Sequence, residues 1–243
     1  MIKIIIHITK FVVATITALL FASCGNINSI EGSGKVTKEK RIVNGDFKNV
    51  SVSNAIDLVI VQSDSTEVVV EADDNLQDNI ITKVENGTLR ISCKFSSFRN
   101  VTMKTVTVKM PVIDKLEASS ASNVQSKNTI RAVDISLESS SAANMMVDVE
   151  SDNINCNSGS GSNINIKGKA LKITTSASSG ATIDAQKLLA NEVHADVSSG
   201  GTINVHPIVS LKAEASSGGN INYDTTPKII EKTASSGGNI SKS

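Results

Sequence analysis

From residue 118 onward, apolar and polar positions alternate in short stretches separated by small polar residues. Asn163-Ile164-Asn165-Ile166 and Leu171-Lys172-Ile173-Thr174 have the period of two that belongs to strands with one buried face. Between such stretches lie near copies of one motif, among them Ser119-Ser120-Ala121-Ser122-Asn123, Ser178-Ser179-Gly180-Ala181-Thr182 and Ser216-Ser217-Gly218-Gly219-Asn220. Aligned on the polar residue before the next aliphatic one, the motif falls at Asn123, Asn144, Asn163, Thr182, Thr202, Asn220 and Asn239, in steps of 21, 19, 19, 20, 18 and 19. A period that regular is a structural repeat.

Strands of three to five residues joined by Ser/Gly corners cannot bury an apolar face within one unit, whereas stacked units can. The pattern therefore predicts an all-β fold, a right-handed parallel β-helix (β-solenoid) with 18–21 residues per coil. At about 4.8 Å per coil, seven coils span roughly 30 Å. Glycine is expected where Ser-Ser-Gly-Gly turns tightly, because it accepts positive φ. Asn tolerates the same conformation and, stacked coil on coil, forms a ladder of amides.

Residues 46–115 carry strands without the tight motif, at Phe47–Val52, Ile56–Val61, Glu67–Ala72, Ile80–Val84, Thr88–Cys93 and Val106–Met110. Asn86-Gly87 is a hairpin signal, Asp73–Asn79 reads as one helical turn, and Ser53-Asn54-Ala55-Ile56 echoes the later corners. This stretch is expected to continue the solenoid as irregular coils or to cap its first coil, so that 46–243 is one domain with regular repeats over 116–243.

Ahead of this body, Lys3 and Lys10 precede an apolar run from Phe11 to Phe21 that is too short to span a bilayer. It ends in Leu20-Phe21-Ala22-Ser23-Cys24, which resembles a bacterial lipobox with Phe21 where Leu is usual. Residues 1–23 are read as a lipoprotein signal peptide, Cys24 as the site of lipid attachment and 24–45 as a tether. Several acyl chains hold a protein firmly on a membrane where one is marginal. That placement is the cell envelope, with the outer membrane favoured and the facing side, periplasm or surface, left open.

Composition narrows the function further. Loss of residues 1–23 removes only Lys3 and Lys10 from the 24 basic residues and none of the 24 acidic ones, which gives no case for nucleic acid. With Trp absent and Tyr223 the single Tyr, the core must be aliphatic. Cys93 and Cys156 sit in strand-like stretches and are read as separately buried thiols, with one disulfide as the alternative. Asp134, Asp148, Asp152, Asp184, Asp196 and Asp224 are scattered and form no recurring carboxylate ladder, so neither a metal nor a catalytic cluster is expected. His194 and His206 lack repeated partners and are read as surface or corner residues. No cofactor is implied.

The recurring Gly201-Thr202-Ile203-Asn204 and Gly219-Asn220-Ile221-Asn222, the degenerate Gly238-Asn239-Ile240-Ser241 and the Ser53–Asp57 strand, behind a lipoprotein signal, resemble the auto-transporter adhesin family with a head GIN domain. The resemblance covers residues 46–241. It implies a β-helix related in shape to pectin lyases and an adhesive role. The expected function is a non-enzymatic adhesion or ligand-binding module whose face runs from Asn123 to Asn239 and meets a glycan or a protein. Two alternatives are a structural protein that self-associates through its solenoid ends, since Ser243 follows Ile240 with no obvious cap, and a pectin-lyase-like carbohydrate-active protein. Corner geometry by itself also accounts for the Ser/Asn column.

Overall fold

The computed structural model describes residues 28–243, together with Lys10; the rest of the expected signal peptide and Cys24 lie outside the described residues. The chain begins with β1 (Ser29–Glu31) and β2 (Val36–Arg41). It then makes a first coil from β3 (Asn49–Val52), a tight turn and β4 (Asp57–Gln62). There follow β5 (Glu67–Asp73), a 3₁₀ turn over Asp74–Asn79, β6 (Ile80–Glu85), β7 (Thr88–Cys93), β8 (Ser97–Arg99) and β9 (Lys104–Met110). The expected strands, the helical turn and the Asn86-Gly87 hairpin between antiparallel β6 and β7 are all present.

These elements do two jobs. β7 and β9 run parallel beneath β3 and β4 as a further coil. β5 then pairs antiparallel with β9, and β2 antiparallel with β5, which closes this end of the stack. The outermost strand, β2, exposes Lys38 and Lys40, and charges on an edge strand oppose pairing with another chain. The expectation of a tether over 24–45 is thus corrected from residue 28 onward, because β1 and β2 belong to the body. A buried carboxylate fastens them. Asp73 accepts from the backbone N–H groups of Gly34 at 3.0 Å, Thr102 at 3.2 Å and Met103 at 3.0 Å. Three such donors satisfy a charge that burial would otherwise make costly.

The regular stack runs through β10 (Lys115–Ala118), β11 (Asn123–Ser126), β12 (Ile130–Ser139), β13 (Asn144–Ser158), β14 (Asn163–Ala177), β15 (Thr182–Val197) and β16 (Thr202–Ala215). It ends with β17 (Asn220–Tyr223), β18 (Ile229–Ala234) and β19 (Asn239–Lys242). Every neighbouring pair here is parallel, so each inward aliphatic sits on the equivalent residue of the next coil, as Ile154 on Ile173, Ile173 on Val193 and Val193 on Leu211. The long strands are bent once. In β13 the inward residues are Met145, Val147, Val149 and Ser151, then Ile154, Cys156 and Ser158, because Asp152 and Asn153 both face outward. That break corrects the uniform alternation read through Leu171-Lys172-Ile173: Ile173 is buried, whereas Leu171 sits at the bend and is exposed.

The opposite edge of each coil is a type I′ turn, with both central residues left-handed. In Ser198-Ser199-Gly200-Gly201, Ser199 has φ 48° and Gly200 φ 71°, and Gly201 N–H donates to Ser198 O at 2.9 Å. Ser120, Ser141, Ser160, Ser179, Ser217 and Ser236 share the φ of Ser199. A left-handed non-glycine residue costs about 1–2 kcal/mol. Stacking offsets this, since Gly200 N–H donates to Ser217 O of the next coil at 3.1 Å and the same bond recurs along the column. Ser53–Ile56 makes the same turn, with Asn54 and Ala55 left-handed, and bonds to Ser120 O.

The sequence-based account of the corners therefore changes in two respects. The serine, as well as the first glycine, takes positive φ, while the second glycine answers a different need: a Cβ on Gly201 would lie 2.9 Å from Ala177 O, and one on Gly238 2.3 Å from Ala215 O. The column it belongs to narrows along the stack, from Ile56 through Ser122, Ala143, Ser162 and Ala181 to Gly201, Gly219 and Gly238.

Beyond Tyr223, β18 and β19 pair only with the preceding coil among the described residues, and β18 is exposed throughout. Lys232 stands in register with the buried Ala213, where a further coil would hold an apolar residue. Its ammonium lies 4.4 Å from the Tyr223 ring centroid and donates to the Tyr223 hydroxyl. Cys93 and Cys156 are both buried and free, and burial pushes the Cys156 thiol far above its ordinary range.

Two glycines at positive φ separate turn geometry from close packing. Gly180 faces open space, whereas a Cβ on Gly168 (φ 123°) would lie 2.1 Å from Val149 O. Gly180→Ala is expected to lower unfolding free energy by about 1 kcal/mol, and Gly168→Ala by about 3 kcal/mol or more. Urea unfolding at constant m value measures both, and equal losses would contradict the close contact.

Candidate functional site

The seven aligned residues Asn123, Asn144, Asn163, Thr182, Thr202, Asn220 and Asn239 are opposite one another in consecutive coils, in the order the repeat gave. Each is the first residue of the strand leaving its turn, so the column lies beside the left-handed corner and not in it. All point outward.

Asn123, Asn144 and Asn163 form a ladder whose polarity has a source. Asp57 heads the column, paired with Asn123, and a carboxylate only accepts. Asn123 Nδ2 donates to Asp57 Oδ1 at 2.7 Å, which turns the Asn123 carbonyl toward the next coil. Asn144 Nδ2 then donates to Asn123 Oδ1 at 3.2 Å, and Asn163 Nδ2 to Asn144 Oδ1 at 3.0 Å. Asn123 and Asn144 each spend one donor and one acceptor along the axis, and Asn163, the last of the run, spends one donor. The second N–H and the second carbonyl lone pair remain on the solvent side, repeating at about the 4.8 Å coil spacing. Thr182 ends the amide run.

Two residues further along each strand is a second outward column, which sequence reading did not single out. It contains Gln125, Met146, Asn165, Asp184, Asn204 and Asn222, and it too is bonded: Asn222 Nδ2 donates to Asn204 Oδ1 at 2.9 Å, and Asn165 Nδ2 to Asp184 Oδ2 at 3.4 Å. The signal that could have found it is the i+2 partner of every ladder residue, visible in Asn163-Ile164-Asn165. Together the columns line an open groove of about 530 Å³ that holds Asn123, Asn144, Asn163 and Thr182 between Asp57 and Asp184, with Met146 64% exposed. Thr202, Asn220 and Asn239 continue the column beyond it. At the Asp57 end, Lys104 donates to Ala55 O beneath the first turn and lies 4.9 Å from the Phe98 ring centroid. Burial holds its pKa below the ordinary lysine value, and the Asp57 carboxylate opposes that shift.

The remaining titratable groups do not assemble into a reactive set. His206 Nδ1 lies 2.9 Å from Asp224 Oδ1 in the next coil, a partner that register supplies and spacing alone did not reveal. His194 is a coil away on another arm, where it faces Thr174 and Lys212. Among the described residues, no three of His, Cys, Asp and Glu come together as a metal site.

A stacked β-solenoid carrying an outward hydrogen-bonding ladder beside a groove defines a repeat protein that presents a surface. The chain belongs to the family described as "Putative auto-transporter adhesin, head GIN domain", which matches residues 46–227. A crystal structure described as a putative adhesin from Bacteroides fragilis NCTC 9343 has a TM-score of 0.80 and 21% identity, over 88% of this chain and all of that one. A putative adhesin from Parabacteroides distasonis ATCC 8503 has 0.70 and 25%, over 88% of this chain and all of that one. A putative lipid binding protein from the same strain has 0.74 and 20%, over 88% of this chain and 99% of that one. No curated protein matches. The family places the chain among adhesin-like proteins of the cell surface or envelope.

Asn144 bonds in both directions along the ladder, whereas Thr182 joins no amide bond. Asn144→Ala is expected to cost about 1 kcal/mol and Thr182→Ala less than about 0.5 kcal/mol. Thermal unfolding of the two variants measures the difference, and equal effects would mean that the amide ladder adds no stability.

Proposed function

We propose that the protein is a non-catalytic binding module of the cell envelope that holds an extended polyhydroxylated ligand of the glycan class along the Asp57–Asp184 groove. The observation that carries this reading is the unspent edge of the ladder. Each amide offers outward one donor and one acceptor, and a hydroxyl group is one donor and one acceptor. Repetition at a fixed spacing lets a chain of similar units make the same contact several times, so that weak contacts add along one ligand. Met146 supplies an apolar spot in the centre of an otherwise polar groove. Amides and hydroxyls bind without activating, which favours adhesion over catalysis. Self-association through the solenoid ends is the second reading, and the charged Lys232 at an inward position weighs against it at that end.

Glycan-array binding tests the groove. The quadruple variant Asn123→Ala, Asn144→Ala, Asn163→Ala and Thr182→Ala is expected to lose at least tenfold in affinity for any glycan bound by the parent, and unchanged binding would remove the groove from the function. Lipid anchoring within the envelope rests on Cys24. Cys24→Ala is expected to abolish incorporation of labelled fatty acid and move the protein from the membrane to the soluble fraction, and continued labelling would place the lipid elsewhere or nowhere.

A further inference from the structure

We infer that the bend edge of the solenoid, on the far side from the type I′ turns, is the interface of a side-by-side homodimer. Along this edge Val112, Val133, Leu171, Ile208, Val209 and Ile229 lie in solvent, with Val133 65% and Leu171 56% exposed, while the intervening coils place Asp152 and Asn191 at the same bend position. At the capped end the ridge continues to Ile42, which is 91% exposed. Isolated exposed aliphatics need no explanation, but their recurrence along one edge of the body does. Asp152 and Asn191, in this same column, show that polar residues fit these corners, so the fold does not demand aliphatics there.

The ridge has hollows on both flanks. One, of about 820 Å³, includes Val112, Val133, Asn153 and Lys172. The other, about 570 Å³, is floored by Ala132, Ala170 and Leu189. A convex ridge beside a hollow is self-complementary under a two-fold axis, since each copy can seat its ridge in the other's hollow. Charge agrees. Arg131, Glu150, Lys169 and Leu189 are opposite one another in four consecutive coils. A two-fold axis between the second and third brings Glu150 of each copy against Lys169 of the other. It also sets Arg131 over Leu189, where its aliphatic stem can pack. Six coil steps of about 4.8 Å and an edge about 20 Å wide give about 600 Å² per copy, at the lower end of specific protein interfaces.

A membrane does not fit as the occupant. Asn28 hydrogen-bonds Ser96 on the turn side of the cap, about 20 Å across the strands from the bend edge. Three residues separate it from Cys24, and the four Cα steps between them reach at most about 14 Å. A lipid on Cys24 would therefore hold the turn side close to the bilayer and leave the bend edge away from it. The solenoid ends are a separate surface.

Light scattering on residues 25–243, which contain every strand of the described body, is the test. At about 100 µM the expected mass is that of a dimer, as befits an interface of this size. Leu171→Glu with Ile208→Glu is expected to give a monomer with unchanged thermal unfolding, because both side chains are exposed. Met146→Glu, in the groove, is expected to leave the dimer intact. Glu150→Lys and Lys169→Glu are each expected to weaken the dimer at least threefold, and the two together to restore it. A monomeric parent at that concentration, a dimer that survives the ridge substitutions, or failure of the charge exchange to restore association would each overturn the inference.

Discussion

Parallel register between neighbouring coils is the constraint on which the remaining structure depends. Once Ile154 sits on Ile173 and Ile173 on Val193, the outward residues are aligned as well, because side chains alternate along each strand. One set of backbone hydrogen bonds therefore fixes the aliphatic core, the amide ladder, the type I′ turns and the apolar ridge. A slip by one residue in any coil would turn its core residues to solvent and break every outward column at once. Because no coil can bury its apolar face alone, this dependence runs the length of the stack.

The stack obtains its stability from repetition and needs something different at each end. At the start, antiparallel β2, β5 and β6 cover strands that would otherwise present open edges, and the Asp73 carboxylate pins the covering segment. At the other end, Tyr223 and Lys232 fill the place of core residues with a phenol and an ammonium group. Charge in an inward position discourages continuation of the sheet by another chain. One end is thus closed by long-range antiparallel pairing, whereas the other carries only a charge at an inward register position.

Much of this was legible in the sequence because periodicity of 18–21 residues records register directly. Alignment of Asn123 with Asn144, Asn163 and Thr182 in the chain became alignment in space. What could not be read was everything that depends on pairing between distant segments. Nothing local in Val36–Arg41 marks it as a cap, since its partner Val68–Asp73 lies some thirty residues on. The bend that exposes Leu171 is a phase break invisible to a count of alternating residues. Serine was read as a small corner residue, whereas its left-handed backbone follows from the demand for two positive φ angles in a type I′ turn, paid by bonds to the next coil. Within the groove, the ladder was visible as a repeat, but Gln125, Met146 and Asp184 vary in type and declare themselves only through their position.

The shrinking side chain at the fourth turn position, from Ile56 to Gly238, has a consequence for how such a molecule can change length. Solenoids are often pictured as modular rods in which a unit can be duplicated or dropped anywhere. Here the units are not interchangeable. A coil copied from the capped end would bring serine or alanine to a site where the Gly238 backbone leaves no room for a Cβ, and one copied backwards would leave a void where Ile56 packs. Growth or shortening by recombination is then tolerated only between neighbours of matching bore, so the rod carries a record of position along its own axis.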